Sequence, residues 1–242
     1  DHQVLNLLEE HHALIGGATG SGKSNFLSAV ICSLAVTYPP STVKLSLLDP
    51  KGIDFGRFEP LPQVDTYLDD PNDGVEYLQN LLETELQNRQ NLLKQRGAAS
   101  VEEHNRLAKD RDFDPIPYRV IIIDEFADLM MSLSGDQEEF EEAIGRLAQI
   151  GRAMGYSILL ATQRPDAEIV SGNIKTNFKC RISFELPSNT DSRVILDQPG
   201  AEDLEGSGDM ITLTSAGEEF HLQAYLLLPE DALTIRDQLT NS

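Results

Sequence analysis

Short apolar runs alternate with longer amphipathic stretches along nearly the whole chain. The runs Ala13–Gly16, Val43–Asp49, Val120–Asp124, Ser157–Thr162 and Arg181–Glu185 are compact and rich in Val, Ile and Leu. Runs of this kind without polar alternation predict strands buried on both faces of a parallel sheet. Between them lie helical patterns. Asn25 to Val36 follows the first run. Val75, Leu78, Leu82, Leu86 and Leu93 recur at helical spacing within Asp73–Arg96, and Gly97 ends that helix. Ser100 caps a shorter helix from Val101, and Arg111 to Pro117 reads as a loop. Phe140, Ile144, Leu147 and Ala148 place another helix at about Gln137–Ala153. Near the end, Met210–Leu213 and Phe220–Leu226 flank Thr214–Glu219 as a β-hairpin, and Pro229 opens a terminal helix. The alternation predicts one α/β domain over 1–242: a mainly parallel central sheet flanked by helices, with a C-terminal β-hairpin and helix.

The segment Gly17-Ala18-Thr19-Gly20-Ser21-Gly22-Lys23-Ser24 fits G-x-x-x-x-G-K-S between the first strand and the first helix, with Asn25 following. Its glycines let successive N–H groups converge on one phosphate, and the helix N-terminus adds partial positive charge. Lys23 is placed to reach the outer phosphates and the Ser24 hydroxyl to bind Mg²⁺. About a hundred residues on, the run Val120–Ile123 ends in Asp124-Glu125. Strand C-termini of a parallel sheet are where ligands bind. Asp124 reads as the metal-associated acid, and Glu125 as the base that polarises the attacking water. Together these motifs predict an ATP hydrolase using ATP and Mg²⁺.

Charge complicates the choice of partner. The chain carries 19 basic and 40 acidic residues, a net charge of −21. Nonspecific nucleic-acid binders are usually basic. The charge is uneven, however: Arg146 to Arg193 holds seven bases and four acids, net +3, which leaves the remainder at −24. The two cysteines, Cys32 and Cys180, sit in apolar contexts with no metal spacing, as in reduced core positions of a cytoplasmic protein. No run of about 18 apolar residues exists, and no signal-peptide pattern opens the chain. The first strand starts only a dozen residues in, so a fragment of a longer parent is expected, one that a membrane anchor outside this stretch could tether.

Four further motifs follow in order: Leu48-Asp49-Pro50-Lys51, Asp124-Glu125-Phe126-Ala127-Asp128-Leu129-Met130-Met131, Leu160-Ala161-Thr162-Gln163-Arg164-Pro165, and Asp191-Ser192-Arg193-Val194-Ile195-Leu196-Asp197 with Gly200-Ala201-Glu202 and Gly208-Asp209-Met210 behind it. The set resembles the motor domain of the FtsK/SpoIIIE family of double-stranded DNA translocases, from about Ala13 to Leu226. The resemblance implies a RecA-like P-loop ATPase core that assembles as a hexameric ring around duplex DNA. It implies that Gln163 senses the terminal phosphate, and that Arg152 reaches into the ATP site of a neighbouring copy. It also implies DNA phosphate contacts from the loop Gly172–Asn177 through Lys175, with Arg164 and Arg193 behind it. On the residues alone, Arg152 suits a helix C-terminal cation better, Lys175 equally suits a solvated position on a surface helix, and Arg193 a structural pair with Asp191 or Asp197. Many relatives carry a base where this chain has Asn189. Two other functions share such a core: protein secretion of the type VII kind, and ATP-controlled assembly of a DNA-defence complex.

Overall fold

The computed structural model describes residues 10–110, 113–133 and 137–241; Arg111 and Asp112 of the expected loop lie outside the described residues. Among the described residues eight strands form one sheet: β1 (His12–Gly16), β2 (Val43–Leu48), β3 (Val64–Leu68), β4 (Tyr118–Ile123), β5 (Tyr156–Thr162), β6 (Cys180–Phe184), β7 (Asp209–Leu213) and β8 (Glu219–Gln223). Their order is β3-β2-β4-β5-β1-β6-β7-β8. Neighbours from β3 through β6 pair in parallel, while β7 and β8 pair antiparallel. The expected hairpin therefore extends the main sheet.

The apolar runs are continuous because both sheet faces are covered. Ala13, Ile15, Val120, Ile122, Leu159 and Ala161 pack in one core cluster with Leu27 and Ile31 of helix α1 (Lys23–Thr37). Their alternates Leu14, Ile121, Ile123, Ile158 and Leu160 pack in the other. That second layer contains α2 (Pro71–Asn80), α3 (Leu86–Arg96), α4 (Val101–Ala108), α5 (Phe126–Ser132) and α6 (Gln137–Gly151). It also takes in α7 (Gly172–Asn177) and α8 (Asn189–Leu196), while the terminal helix α9 (Pro229–Thr240) packs beside α1. Alternate side chains of β1, β4 and β5 thus meet opposite apolar layers, as the period-2 geometry of a strand requires.

The long helix expected over Asp73–Arg96 is interrupted by one π turn, Leu81–Glu85, where the Leu86 N–H bonds the Leu81 carbonyl. The wider turn shifts the helical phase. Leu81 is therefore fully buried and Leu82 only partly so, the reverse of a regular helix through Leu78, Leu82 and Leu86. Gly97 ends α3 at φ 68°, and Ser100 caps α4 by accepting from the Glu103 N–H at 3.1 Å. Strand β3 was not expected from the pattern: it is an edge strand with no fully buried residue. The short helices α5 and α8 were not expected either, while α7 puts Lys175 on a helix where the resemblance implied a loop.

A polar knot ties β3, β4 and the π turn together. Buried Arg119 donates to both carboxylate oxygens of Asp65 (2.7 and 2.8 Å) and to Ser46 Oγ (2.7 Å), and its Nε lies 3.4 Å from Glu85. A bidentate guanidinium–carboxylate pair is strong and directional, and removing one partner strands the other. Arg119→Ala is expected to lower the unfolding free energy by about 3 kcal/mol in urea denaturation. A loss under about 0.5 kcal/mol would mean that the knot is as weak as a surface pair.

Candidate nucleotide site

The residues that carry chemistry gather where the parallel strands end. Gly17–Ser24 leaves β1 and turns into α1. Asp49 follows β2, Asp124 and Glu125 follow β4, and Thr162 ends β5. The loop is held from both sides: Gly17 N–H donates to the Thr162 carbonyl (3.2 Å), and Ala18 N–H to the Glu185 carbonyl (2.9 Å). Two of its turns require glycine. Gly20 has φ 83° and Gly22 φ 108°, a region that penalises any Cβ.

Lys23 reaches past the end of β5, the strand next to β1, to the end of β4. Its ammonium donates to the Asp124 carbonyl and to Asp124 Oδ1, both at 2.8 Å. The pair is buried, with Lys23 2% and Asp124 0% exposed. Among the described residues, the second carboxylate oxygen of Asp124 is buried with no hydrogen-bond partner, as is Ser21 Oγ. Buried polar atoms normally find partners. An unsatisfied oxygen beside a buried ammonium, next to a loop that must stay glycine, fits a triphosphate with a hard cation. Ser24 Oγ is on this side as well, donating to Asp54 Oδ2 at 3.2 Å.

Glu125 is held on several sides. Thr162 Oγ1 donates to Oε1 at 2.7 Å, the Gln163 N–H to Oε2 at 2.9 Å, and the Lys51 ammonium lies 3.4 Å from Oε2. Lys51 also lies 3.8 Å from Asp128. Gln163 closes the circuit to the loop, its Oε1 accepting from Thr19 Oγ1 at 2.9 Å. Lys23, Ser24, Asp124, Glu125 and Gln163 therefore meet around one loop.

Two participants carried no role in the sequence reading. Asp54 lies between Ser24 and the Asp124 side; burial first, then the Asp124 carboxylate, pushes its carboxyl above the usual range, while the Ser24 hydroxyl opposes this. Its backbone N–H and that of Phe55 bind Asp49 Oδ2 at 2.8 and 2.9 Å, so Asp49 shapes the turn that presents Asp54. Lys51 lies in the Leu48–Lys51 motif, but its contact with Glu125 spans 74 residues and leaves no local signal.

The other expected residues lie elsewhere. Arg152 is exposed in the turn between α6 and β5, near His12 at the start of β1. It is thus at the opposite end of the sheet from the loop, roughly 16 Å away at about 3.3 Å per strand residue. Arg164 is exposed just past β5, its guanidinium 4.0 Å from Met131 Sδ. Lys175 on α7 pairs with Asp197 at 2.8 Å and donates to the Arg193 carbonyl at 3.2 Å; Arg181 also pairs with Asp197. Arg193 itself is exposed and donates to Asn189 Oδ1 at 2.8 Å, so neither Asp191 nor Asp197 is its partner.

The positions of Gly20 and Gly22 separate backbone strain from crowding. A Cβ on Gly22 would lie 2.6 Å from the Gly208 nitrogen, whereas one on Gly20 would meet nothing within 4 Å among the described residues. Gly20→Ala is expected to cost about 1 kcal/mol from positive φ alone, and Gly22→Ala at least about 2 kcal/mol. Ligand-free thermal melts measure both, and equal losses would show that the Gly208 segment moves aside freely.

The model of the FtsK/SpoIIIE family matches residues 2–167. The chain is 39% identical over 241 residues to the DNA translocase FtsK of Tropheryma whipplei (strain TW08/27), covering 96% of this chain and 32% of the relative. It is 39% identical over 223 residues to the DNA translocase SftA of Bacillus subtilis (strain 168), covering 91% and 23%. The chain thus spans between about a quarter and a third of the length of these relatives. Among solved structures, the cytoplasmic domain of the Thermomonospora curvata type VII secretion ATPase EccC is similar with a TM-score of 0.83 and 26% identity, over 96% of this chain and 28% of that one. The pCW3 conjugation coupling protein TcpA, in its monomer form with ATPγS, gives a TM-score of 0.78 and 26% identity, over 96% and 66%. The chain belongs to the FtsK/SpoIIIE family and is a P-loop ATPase core.

Proposed function

We propose that this member of the FtsK/SpoIIIE family is the motor core of a double-stranded DNA translocase, which couples ATP hydrolysis to DNA movement as a ring of six copies. The observation that carries the reading is the joining of Lys23, Asp124, Glu125 and Gln163 around one phosphate loop. The relatives at 39% identity are named DNA translocases, and they are more similar in sequence than the secretion ATPase at 26%. That difference favours DNA over a secreted protein as the moving partner.

In this reading Gly17–Ser24 and Asn25 bind the nucleotide through backbone N–H groups, with Lys23 turning from Asp124 toward the phosphates. Mg²⁺, held by Ser24 and Asp124, would neutralise charge between the outer phosphates. Glu125 takes a proton from the attacking water. Thr162 and the Gln163 N–H orient its carboxylate, and Lys51 draws it back from the loop. Gln163 links Glu125 to Thr19, so the state of the terminal phosphate is felt by the residues beyond β5, Arg164 first among them. Arg152 is too far from its own loop to serve it, and acts instead on the site of an adjacent copy.

DNA contacts fall to Arg164, Lys175 and Arg193, which position phosphates without reading bases. Lys175 serves only by exchanging Asp197 for a phosphate. Among the described residues, no helix is long and apolar enough to cross a membrane.

Lys23→Ala is expected to abolish tight ATP binding, whereas Glu125→Gln retains binding and stops turnover. Calorimetry and phosphate release measure the two effects, and undiminished hydrolysis by Glu125→Gln would remove Glu125 as the base. For DNA, affinity for a linear duplex should fall steeply with salt. Arg164→Ala should flatten the slope of log K against log salt by about 0.9. An unchanged slope would place Arg164 off the DNA, and undetectable DNA binding at low salt would favour the secretion-type function.

A further inference from the structure

The carboxylate of Glu125 is fully occupied. A carboxylate offers about four positions to hydrogen-bond donors, and among the described residues all are in use. Thr162 Oγ1 donates to Oε1 at 2.7 Å, the Gln163 N–H is shared between Oε1 at 3.2 Å and Oε2 at 2.9 Å, and Lys51 Nζ lies 3.4 Å from Oε2. Glu125 is 1% exposed. A base takes a proton from water through a lone pair within hydrogen-bond reach of it. In this arrangement Glu125 has no lone pair left to offer, so one donor must leave first.

The donors differ in their freedom to leave. Thr162 is buried at the end of β5, and its hydroxyl also accepts from the Arg164 N–H at 3.0 Å. The Gln163 donor is backbone. Lys51 occupies the third position of the turn Asp49–Gly52, which is closed by the Gly52 N–H on the Asp49 carbonyl at 2.8 Å and has Pro50 in second place. The turn fixes its backbone and leaves its flexible four-carbon stem to swing. Its contact is the longest of the set, and its side chain is 32% exposed. A second acceptor stands beside the first: Asp128, in the first turn of α5, lies 3.8 Å from the same ammonium. Lys51 can therefore leave Glu125 without losing a charge partner.

We propose that Lys51 is a lock on the base: it holds Glu125 idle in the resting site and passes to Asp128 when Glu125 engages the attacking water. The inference rests on the reading of Glu125 as the base of an ATP hydrolase. Lys51 acts through Glu125 and is a positioning residue, with Asp128 as its second station. Once Oε2 is released, the water oxygen bonds the terminal phosphorus and the bond from that phosphorus to the bridging oxygen breaks. ADP leaves with the bridging oxygen, and the water proton passes to Oε2.

The test measures Mg–ATP turnover by this chain, without DNA, for wild type, Lys51→Ala, Lys51→Met, Lys51→Arg and Asp128→Asn, with ATP affinity from calorimetry. Lys51→Ala and Lys51→Met should raise kcat about fivefold at unchanged KM, the population held back by one partly exposed ion pair. Lys51→Arg keeps the cation and should be no faster than wild type. Asp128→Asn should lower kcat and leave ATP affinity unchanged, whereas an unaltered kcat there removes Asp128 as the second station. A lower kcat on removing Lys51 would assign it a supporting role in the active site, and a raised KM would place it on the phosphates; either overturns the lock. So does an unchanged kcat, or a Lys51→Ala chain that binds ATP and stays silent, and both leave the nucleotide site standing. Glu125→Gln in the Lys51→Ala background separates the two readings. Persistent fast turnover in that double variant means that Glu125 is not the base, and the lock falls with it. If wild type binds no ATP, the nucleotide reading falls first and the inference with it.

Discussion

The Lys23–Asp124 pair is the interaction on which the site depends. Both groups are removed from water, and an isolated charge there would be severely destabilising. Each is tolerable only because the other lies 2.8 Å away. The pair spans β5, so it also fixes the end of β1 against the end of β4. Any anion that draws Lys23 away leaves Asp124 in need of a cation. The chemistry of a triphosphate bound with a divalent metal answers both demands at once. In the proposed reading, binding and metal capture would be one exchange of charge partners.

The sheet order turns this local exchange into a polarity. With β5, β4 and β2 on one side of β1, and β6, β7 and β8 on the other, the loop is flanked by unlike surfaces. One flank carries carboxylates, Lys51 and Gln163. The other carries Gly206 and Gly208, the latter's N–H bonded to the Ser21 carbonyl at 2.8 Å, and the exposed side chains of Tyr225 and Leu226. The sheet also has two ends. The loop is at the strand C-termini and Arg152 at the N-termini, so a copy offers its nucleotide at one end and an arginine at the other. That separation underlies the proposed ring, in which neighbouring copies contribute different ends.

Much of this was legible in the chain because it depends on contiguous residues. The run Val120–Ile123 must be covered on both faces, and so predicts a central strand. The G-x-x-x-x-G-K-S spacing is itself a backbone shape. Ser100 and Gly97 signal helix ends through their own chemistry. What was illegible depends on distant partners or weak burial. Strand β3 is half exposed and carries no strong pattern. The π turn at Leu81–Glu85 changes which leucine faces the core without changing the composition. Asp54 acquires meaning only when Ser24, thirty residues away, bonds to it. Asp197 suits Arg193 by its place in the sequence, yet Lys175 and Arg181 occupy it. The net charge of −21 gave no guide to the exposed arginines 146, 152, 164 and 193.

The most direct test of the motor reading is ATP turnover per protomer against protein concentration, at low salt, with and without linear duplex DNA. If Arg152 completes the site of an adjacent copy and DNA is the moving partner, turnover per protomer rises steeply with concentration and rises further with duplex. Turnover that is independent of concentration and unaffected by duplex would contradict the account.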